Sequence, residues 1–284
     1  MRRHSDRLTS RSIENRRSAH EVDVDQSGQT TAPAVDVAPT QQRITDAALT
    51  LFADRGFAAT GIRDLADAAA VSTAALYHYM GTKEDLLVHI MTEGLRRFAA
   101  ASRLAVAQVT GPPRHVVALT RVHVATEVLQ RRMSLVLDQE LRSLSPSSAK
   151  AVLELRDDYE SLWVHAISLG VETGSFQIAD PALGRLAVLE MCNGVAHWFK
   201  PDGRLTLGEV CDRFSDMALA VLSTRHPEGT RPLKLSDLAM PGPAHEIEFV
   251  AAAFASFCTF DLQPLPAPVR LNHRRSTPPP GITS

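Results

Sequence analysis

Apolar residues early in the chain recur with the period of an α-helix. The first set is Ile44, Ala48, Leu51 and Phe52. Residues at these intervals lie on one side of a helix. Gly56 follows them, and glycine readily adopts the left-handed conformation that ends many helices. The pattern predicts a first helix that ends near Arg55.

Two shorter helices are predicted directly after this one. Apolar residues recur from residue 62 to residue 69, just after Thr60, and Asp64 lies in the first turn, where the positive end of the helix dipole favours an acidic side chain. Ser72 is a good N-cap for a third helix from about Thr73 to Tyr79. Two short helices joined by a tight turn form a helix-turn-helix.

The predicted third helix has two different sides, because each residue advances about 100° around the axis. The expected core side holds Ser72, Ala75, Leu76 and Tyr79, and the outer side holds Thr73, Ala74, Tyr77 and His78. The outer side is polar, aromatic and small, which suits a surface that enters a DNA major groove about 12 Å wide. Lys83 opens a long fourth helix beside free backbone N–H groups, a position that suits a phosphate.

This stretch resembles the TetR family of bacterial transcriptional regulators through the strings RITDAALTLFADRGF, TGIRDLADAAAV and STAALYHYMGTKEDLL. The resemblance implies a homodimer that binds a near-palindromic operator in double-stranded DNA and usually represses transcription. It implies base contacts from Thr73 and His78, phosphate contacts from Tyr77, Tyr79 and Lys83, and a base or phosphate contact from Arg63. The predicted DNA-binding residues are Arg63, Thr73, Ala74, Tyr77, His78, Tyr79 and Lys83.

Two positions depart from the family pattern. Ala70 stands where the family usually has the turn glycine, and an alanine at positive φ costs about 1 kcal/mol. Gly61 stands in the usual place of Ser or Thr, so one expected phosphate contact is missing. The alternative for this stretch is an ordinary three-helix bundle with solvated polar faces.

The pattern from Lys83 to about Ser223 is helical throughout, without the alternation that indicates strands. Breaks at Gly and Pro divide it into predicted helices at 83–110, 114–130, 132–144, 148–173, 181–199 and 206–224. The predicted fold is therefore all-α with about nine helices. We predict a disordered basic arm at 1–39, a DNA-binding domain at 40–85, a ligand-binding and dimerisation domain at 86–225, and a proline-rich, largely irregular extension at 226–284.

The last two long predicted helices carry apolar stripes. The residues are Leu183, Leu186, Ala187, Leu189, Glu190 and Val195 on one helix, and Val210, Phe214, Met217, Ala218 and Val221 on the other. In the TetR family such helices form a four-helix bundle across a two-fold axis, so they are the expected dimer interface. A buried pair within one chain is the alternative.

Bulky and polar residues gather in the remaining helices. They are His123, Glu127, Glu140, Arg142, Arg156, Asp157, Tyr159, Trp163, His165, Asn193, His197 and Trp198. A ligand cavity needs apolar walls and a few polar groups that fix orientation. The predicted ligand-binding residues are Glu140, Tyr159, Trp163, Asn193 and Trp198.

The strings ELRSL, LRDDYESLW and CNGVAHWFKPDGRLTLGEV resemble TetR regulators of fatty-acid, sterol or other acyl-CoA catabolism. This second resemblance implies release from DNA by a CoA thioester or a similar hydrophobic metabolite. No cofactor and no metal are expected, because the three cysteines lack C-x-x-C spacing and a nearby histidine cluster. Unpaired cysteines and the absence of a secretory signal indicate the cytoplasm.

The two ends of the chain have unusual compositions. Within the first twenty residues, six arginines are opposed by only two acidic residues. The arm either follows DNA phosphates or a minor groove, or is a solvated tail, or comes from a start codon assigned too early. Ten of the 17 prolines lie beyond residue 225. Residues 249–260 carry no charge but are too few to span a bilayer, which takes about 20. A helix docked on the body is one interpretation of this segment, and an interaction segment is another.

Two other classes of function stay open from the sequence. A helical acid/base enzyme with no role on DNA would use Glu140 or His165, although the chain lacks H-E-x-x-H, G-x-S-x-G, G-x-G-x-x-G and P-loop strings. An architectural DNA-binding protein without ligand control would have a densely packed body and no cavity. The net charge of −2 decides nothing, because a DNA-binding face is a small part of the surface.

Overall fold

The computed structural model describes residues 39–226, residue 228 and residues 231–255. The α-helices in this part of the chain are α1 Thr40–Arg55, α2 Ile62–Ala68, α3 Thr73–Met80, α4 Lys83–Ala107, α5 Pro112–Leu129, α6 Arg131–Gln139, α7 Pro146–Glu172, α8 Pro181–Asn193, α9 Val195–Trp198, α10 Leu207–Val221 and α11 Ala244–Ala255. Short 3₁₀ turns form at Leu141–Ser143 and Leu235–Asp237. The predicted basic arm, the end of the extension and Cys258 lie outside the described residues.

The all-α prediction is confirmed, and the described residues form two more α-helices than expected. One predicted helix, at 181–199, divides into α8 and α9 near Gly194. The other addition is α11, which forms in the extension that the prolines had suggested is irregular. None of the described helices is long and apolar enough to cross a membrane.

The N-terminal three helices form as their apolar spacing predicts. The stripe of α1 is buried, and Gly56 ends the helix with a φ of 85°. Ser72 caps α3, since its Oγ accepts the Ala75 N–H at 3.1 Å. Ala70 has a φ of 53°, so the alanine does adopt the conformation expected of the turn glycine.

The start of α2 differs in one detail from the prediction. Gly61 stands at the N-cap, and the Asp64 carboxylate accepts its backbone N–H at 3.0 Å. The Thr60 side chain is instead buried, and its hydroxyl donates to the Gly56 carbonyl at 2.8 Å. Thr60 therefore fixes the end of α1 rather than the beginning of α2.

The body is built around α5, which is buried on nearly all its sides. Helices α4, α7, α8, α10 and α11 pack against it. Helix α4 also contacts α1 and α3, so it runs from the three-helix unit α1–α3 into the body. Any change in the packing between α4 and α5 can therefore reach the three-helix unit.

The extension folds back onto the body through α11. Val250 and Phe254 are buried against the main core, and the Ala253 carbonyl accepts a hydrogen bond from Arg97 Nη1 at 2.9 Å. The described part of the uncharged segment, residues 249–255, is thus a docked helix, as one of the interpretations expected.

Candidate nucleic-acid interface and buried cavity

Helix α3 presents an exposed face of mixed chemistry. Thr73, Ala74 and His78 are exposed, and the Tyr77 side chain is 52% exposed, while Leu76 is completely buried. A short helix held by one apolar side and open on the other can enter a groove without disturbing its support.

Tyr79 of α3 and Arg63 of α2, two further predicted DNA-binding residues, are exposed as well. The sequence pattern placed Tyr79 on the core side, but its side chain is 37% exposed and Met80 fills the core position. The Tyr79 ring lies against His78, with ring centroids 5.2 Å apart. Arg63 is exposed on α2. Six of the seven predicted DNA-binding residues are therefore accessible.

Lys83 is the exception among these residues. Its Nζ donates to the carbonyl oxygens of Phe57 and Thr60, each at 2.8 Å, and lies 4.2 Å from the centroid of the Phe57 ring. The ammonium group thus holds the loop between α1 and α2. In this arrangement the half-buried ammonium group is bound to backbone carbonyl oxygens of the protein itself.

A cavity of about 90 Å³ lies inside the body, between α4, α5, α6, α7 and α8. Its apolar wall includes Leu95, Phe98, Leu137, Leu141, Val152 and Leu189, and its polar wall includes His123, Glu127, Asp138, Arg156, Tyr159 and Asn193. Apolar walls with a few oriented polar groups are typical of small-molecule sites.

A chain of hydrogen bonds runs along the polar wall, and we call it the cavity network: Trp163, Tyr159, His123 and Asn193. Trp163 Nε1–H donates to the Tyr159 hydroxyl, and that hydroxyl pairs with His123 Nδ1, both at 2.9 Å. His123 Nε2 lies 2.9 Å from Asn193 Oδ1. Since Asn193 Oδ1 can only accept, Nε2 carries the proton and Nδ1 accepts from Tyr159.

Burial favours the uncharged forms of three ionisable groups of this wall, His123, Glu127 and Tyr159. It lowers the pKa of His123 to about 4, although the hydrogen bond to Asn193 acts in the opposite direction. It raises the pKa of Glu127 to about 8 and that of Tyr159 well above its usual value. The buried part of the wall, formed by these three groups, is therefore polar and neutral at pH 7, because desolvation penalises each charged form, whereas Asp138 and Arg156 line the cavity with exposed side chains.

The structure brings together some of the predicted ligand-binding residues and separates others. Tyr159 and Asn193 line the cavity, and Trp163 lies one hydrogen bond behind Tyr159. Trp198 does not line it, since this side chain is 49% exposed and stacks on Phe214, with centroids 6.0 Å apart. Glu140 also faces elsewhere, toward the loop between α1 and α2.

The sequence did not identify the apolar wall. Phe98 stacks on the Tyr159 ring at a centroid distance of 4.2 Å, and Leu95 lies one turn earlier on α4. Both belong to an amphipathic pattern that is the same for a core residue and for a cavity residue. A periodic pattern shows that a side chain points inward, but not whether another atom fills the space beside it.

The apolar stripes of α8 and α10 are divided between core and surface. Leu189, Val210 and Ala218 are buried within the chain, as is Val195, which begins α9, whereas Leu183, Leu186, Ala187, Met217 and Val221 are exposed. The Leu183 side chain is 63% exposed. The two helices thus complete the core and leave an apolar face uncovered, a feature that marks interaction surfaces.

Two family models match the chain. Residues 44–90 match "Bacterial regulatory proteins, tetR family", and residues 113–222 match "Tetracyclin repressor-like, C-terminal domain". The first range contains α2, α3 and most of α1. The second contains the helices that form most of the cavity and the exposed apolar face.

Individual proteins agree with these matches. The chain is 28% identical over 202 residues to the HTH-type transcriptional repressor KstR2 of Rhodococcus jostii. The matched residues cover 69% of this chain and 99% of that protein. The chain is 34% identical to the TetR family transcriptional regulator PfmR from Thermus thermophilus, with a TM-score of 0.58 over 63% of this chain and 97% of that one. It is 27% identical to AibR, solved in complex with isovaleryl coenzyme A and operator DNA, with a TM-score of 0.58 and coverage of 63% and 97%.

Proposed function

Since the chain belongs to the TetR family of DNA-binding transcriptional regulators, we propose that it is a repressor that a ligand in the buried cavity releases from its operator. The exposed face of α3 is the observation that supports the DNA-binding role most directly. The presence of a cavity whose wall combines apolar side chains with a few polar groups supports the ligand. We keep the proposed division into a DNA-binding domain at 40–85 and a ligand-binding and dimerisation domain at 86–225.

We assign the exposed side chains of α2 and α3 to different contacts with DNA. Tyr77 and Tyr79 would donate to phosphates, and Thr73 and His78 would face base edges. The methyl group of Ala74 would allow the helix to approach closely. The contacts of Lys83 with Phe57 and Thr60 favour a structural role over the phosphate contact that the family resemblance implies.

TetR-family regulators act as dimers, and we propose that α8 and α10 form the interface here. The exposed residues Leu183, Leu186, Met217 and Val221 would meet their symmetry-related copies. A two-fold interface uses the same patch on both subunits, which matches a protein dimer to a near-palindromic operator.

A DNA-binding experiment tests the first part of the proposal. An operator would first be selected from fragments of genomic DNA that the protein retains. We expect Tyr77→Ala to weaken operator binding about fivefold or more, the equivalent of one lost hydrogen bond. His78→Ala should instead change the preferred bases. Leu153→Ala, an exposed apolar position on α7, is the matched control and should bind as the unchanged protein does.

Unchanged operator affinity of Tyr77→Ala, or an equal loss in Leu153→Ala, would contradict the assignment of α3. Selection of no fragment at all would contradict the DNA-binding role of this chain. The sequence of a selected operator would also show whether it has the near-palindromic symmetry that a dimer requires.

We propose a CoA thioester with a hydrophobic acyl group, or a similarly large hydrophobic metabolite, as the ligand. Support comes from AibR, which was solved with isovaleryl coenzyme A, and from the neutral groups His123, Glu127 and Tyr159 in the buried part of the cavity wall. The Asn193 amide group and the protonated Glu127 carboxyl are the proposed donors to an uncharged acceptor of the ligand.

The size of the cavity gives this ligand a means of changing DNA affinity. Drug-sized ligands occupy pockets of roughly 300–1,000 Å³, well above the 90 Å³ of this cavity. A large ligand must therefore widen the cavity, so it binds the widened state better than the closed one. Only such a difference in affinity between two states can shift their equilibrium.

A release experiment tests the ligand. CoA thioesters of varied chain length and ring size would be titrated against the complex with the selected operator. We expect release by a subset of thioesters, and weaker release from Asn193→Ala, which loses a donor at the cavity. Leu153→Ala is again the control. Release by none of the thioesters, or equal release by free CoA or the free acids, would contradict the thioester hypothesis without affecting the DNA-binding role.

A further inference from the structure

The segment between α6 and α7, residues 140–145, makes two hydrogen bonds to the part of the chain that carries α3. At one end, Glu140 Oε1 accepts the Phe57 N–H at 3.0 Å. At the other end, the Ser145 N–H donates to Glu84 Oε1 at 2.9 Å. We call residues 140–145 the bridge segment. It is bound to both the α1–α2 loop and the first turn of α4.

The bridge segment also forms part of the cavity wall. Leu141 lines the cavity from within the segment, and Leu137 and Asp138 line it from the last turn of α6 just before. Glu140 lies between these residues but faces the opposite way, with its side chain buried. One short stretch of chain thus contacts the cavity on one side and the three-helix unit on the other.

The Glu140 carboxylate is held with both oxygens engaged. Oε1 accepts the Phe57 N–H, and Oε2 accepts the Ser143 hydroxyl at 2.6 Å. Hydrogen bonds to an ionised carboxylate are short and stronger than those between neutral groups. The bond to Ser143 fixes the carboxylate relative to its own segment, so a displacement of the segment carries the Phe57 contact with it.

The α1–α2 loop is held from two sides at Phe57. Glu140 binds its N–H from the body, and Lys83 at the start of α4 binds its carbonyl oxygen. The Phe57 ring packs edge-on against Phe52 of α1, with centroids 5.3 Å apart. This loop leads directly into α2, so its position sets the position of α2 and α3.

The hydrogen bond between Ser145 and Glu84 reinforces the one between Glu140 and Phe57. Hydrogen bonds from Ser145 and Ser148 lower the pKa of Glu84, which keeps this carboxylate ionised and able to accept. The Ser145 hydroxyl also caps α7 by accepting the Ser148 N–H. The beginning of α7 is therefore tied to the beginning of α4 at the residue next to Lys83.

We propose that the bridge segment couples the cavity to the DNA-binding helices, and that Glu140 is a positioning residue that holds the α1–α2 loop in the DNA-binding arrangement. Widening of the cavity displaces Leu141 and its neighbours and withdraws the Glu140 carboxylate from Phe57. This route acts beside any change in the packing between α4 and α5 and does not require one. The inference rests on the proposed function, because it assumes that cavity and operator communicate.

A double-mutant cycle without any ligand tests this coupling. Glu140→Ala removes the acceptor, whereas Glu140→Gln keeps a carbonyl oxygen for Phe57 and is the matched control. Leu189→Trp enlarges a cavity-wall side chain on α8 and stands in for a bound molecule. Affinity for the selected operator and hydrogen exchange of the Phe57 amide are measured for each variant.

We expect Glu140→Ala to weaken operator binding about fivefold or more, and Glu140→Gln to change it less, since the Phe57 N–H loses its acceptor only in the first and keeps a neutral one in the second. The Phe57 amide should exchange faster in Glu140→Ala. Leu189→Trp should weaken operator binding and speed this exchange in the unchanged background, and should add little in the Glu140→Ala background.

Wild-type operator affinity in Glu140→Ala with a rapidly exchanging Phe57 amide would overturn the positioning role. So would an equal loss from Leu189→Trp in both backgrounds, or no loss in either. If Glu140→Ala does not fold, Ser143→Ala or Glu84→Ala takes its place in the double-mutant cycle. Each of these two variants removes one hydrogen bond of the bridge segment. Because no ligand is used, a failure of the CoA thioesters to release DNA leaves this test unaffected.

Discussion

Two buried polar clusters on opposite sides of α5 differ in charge and in the completeness of their hydrogen bonds. The cavity network is neutral, and each bond in its chain from Trp163 to Asn193 has a defined donor and acceptor. The other, which we call the Arg121 cluster, consists of Arg121, Asp212 and Glu246. Arg121 is 2% exposed, and its guanidinium binds Asp212 at 2.8 Å, Glu246 at 3.5 Å and the Pro241 carbonyl at 2.8 Å.

The Arg121 cluster is incompletely satisfied. Among the described residues, Arg121 Nε and Glu246 Oε2 have no hydrogen-bond partner. Charges that are removed from water must be compensated by good geometry, or they reduce stability. The buried pair of Arg121 and Glu246 therefore depends on both partners remaining in place, because either one alone would be a buried charge without compensation.

The positions of the two clusters explain this difference. The matched family model ends at residue 222, and Glu246 lies beyond it on α11. The Arg121 cluster thus fastens the extension to α5 and α10, where no ligand has to enter. The cavity network borders open space and has to accept a change of occupant, which neutral hydrogen-bonding groups allow at lower cost than charges.

The largest expected effect comes from breaking the Arg121 cluster. Arg121→Met leaves Glu246 buried without its counter-charge, and removal of one partner of a buried pair costs about 3–5 kcal/mol. Asp212 contributes less to this loss, because its side chain is 43% exposed and can be hydrated. The free energy of unfolding, measured by denaturant titration, should fall by this amount.

Arg103→Met is the matched control for the Arg121 substitution. Arg103 pairs with Asp158 at 2.6 Å, and the two side chains are 47% and 50% exposed. Exposed pairs contribute about 0–1 kcal/mol. Equal losses in the two variants would show that Arg121 is no more important than a surface arginine. Addition of Glu246→Leu to Arg121→Met should recover part of the stability, because the unpaired charge is removed.

These contacts also show where sequence patterns stop being informative. The apolar spacing predicted α1, α2 and α3 and the cap at Ser72, because each depends on residues within one or two turns. Lys83 and Glu140 were identified as important polar residues, but their partners at Phe57 lie 26 and 83 residues away. The pairing of Arg121 with Glu246 spans 125 residues. Spacing along a helix contains no information about such partners.

A smaller effect is expected from the pH dependence of the cavity wall. Burial raises the pKa of Glu127 from 4.5 to about 8, so the folded chain retains a proton that the unfolded chain loses, and stability falls as the pH rises from 4.5 to 8. Burial lowers the pKa of His123 from 6.5 to about 4, so stability rises with pH between 4 and 6.5. The two slopes oppose each other up to pH 6.5.

Between pH 6.5 and 8, Glu127 acts without this opposition. At about 1.4 kcal/mol per pH unit, its contribution should fall by about 2 kcal/mol over this interval. The difference in unfolding free energy between the unchanged protein and Glu127→Gln, measured at several pH values, isolates this contribution. A difference that stays constant from pH 6.5 to 8 would show that Glu127 is already ionised in the folded chain.

The smallest expected effect comes from the cavity network itself. Tyr159→Phe keeps the ring that stacks on Phe98 but removes the hydroxyl between Trp163 and His123. An unsatisfied buried donor costs about 1–3 kcal/mol. The adjoining cavity has room for water, which can bridge such groups, so we expect a loss of about 1 kcal/mol.

Tyr79→Phe provides the control for this last substitution, since it removes a hydroxyl from an exposed side chain of α3 and should leave the free energy of unfolding unchanged. The contrast with the Arg121 cluster is then direct, because water that enters the cavity can replace a missing neutral group, whereas a packed ion pair has no such substitute for a missing charge. A loss in Tyr159→Phe as large as that in Arg121→Met would remove the distinction. It would mean that the cavity network is as rigid as the connection to the extension and is poorly suited to a change of occupant.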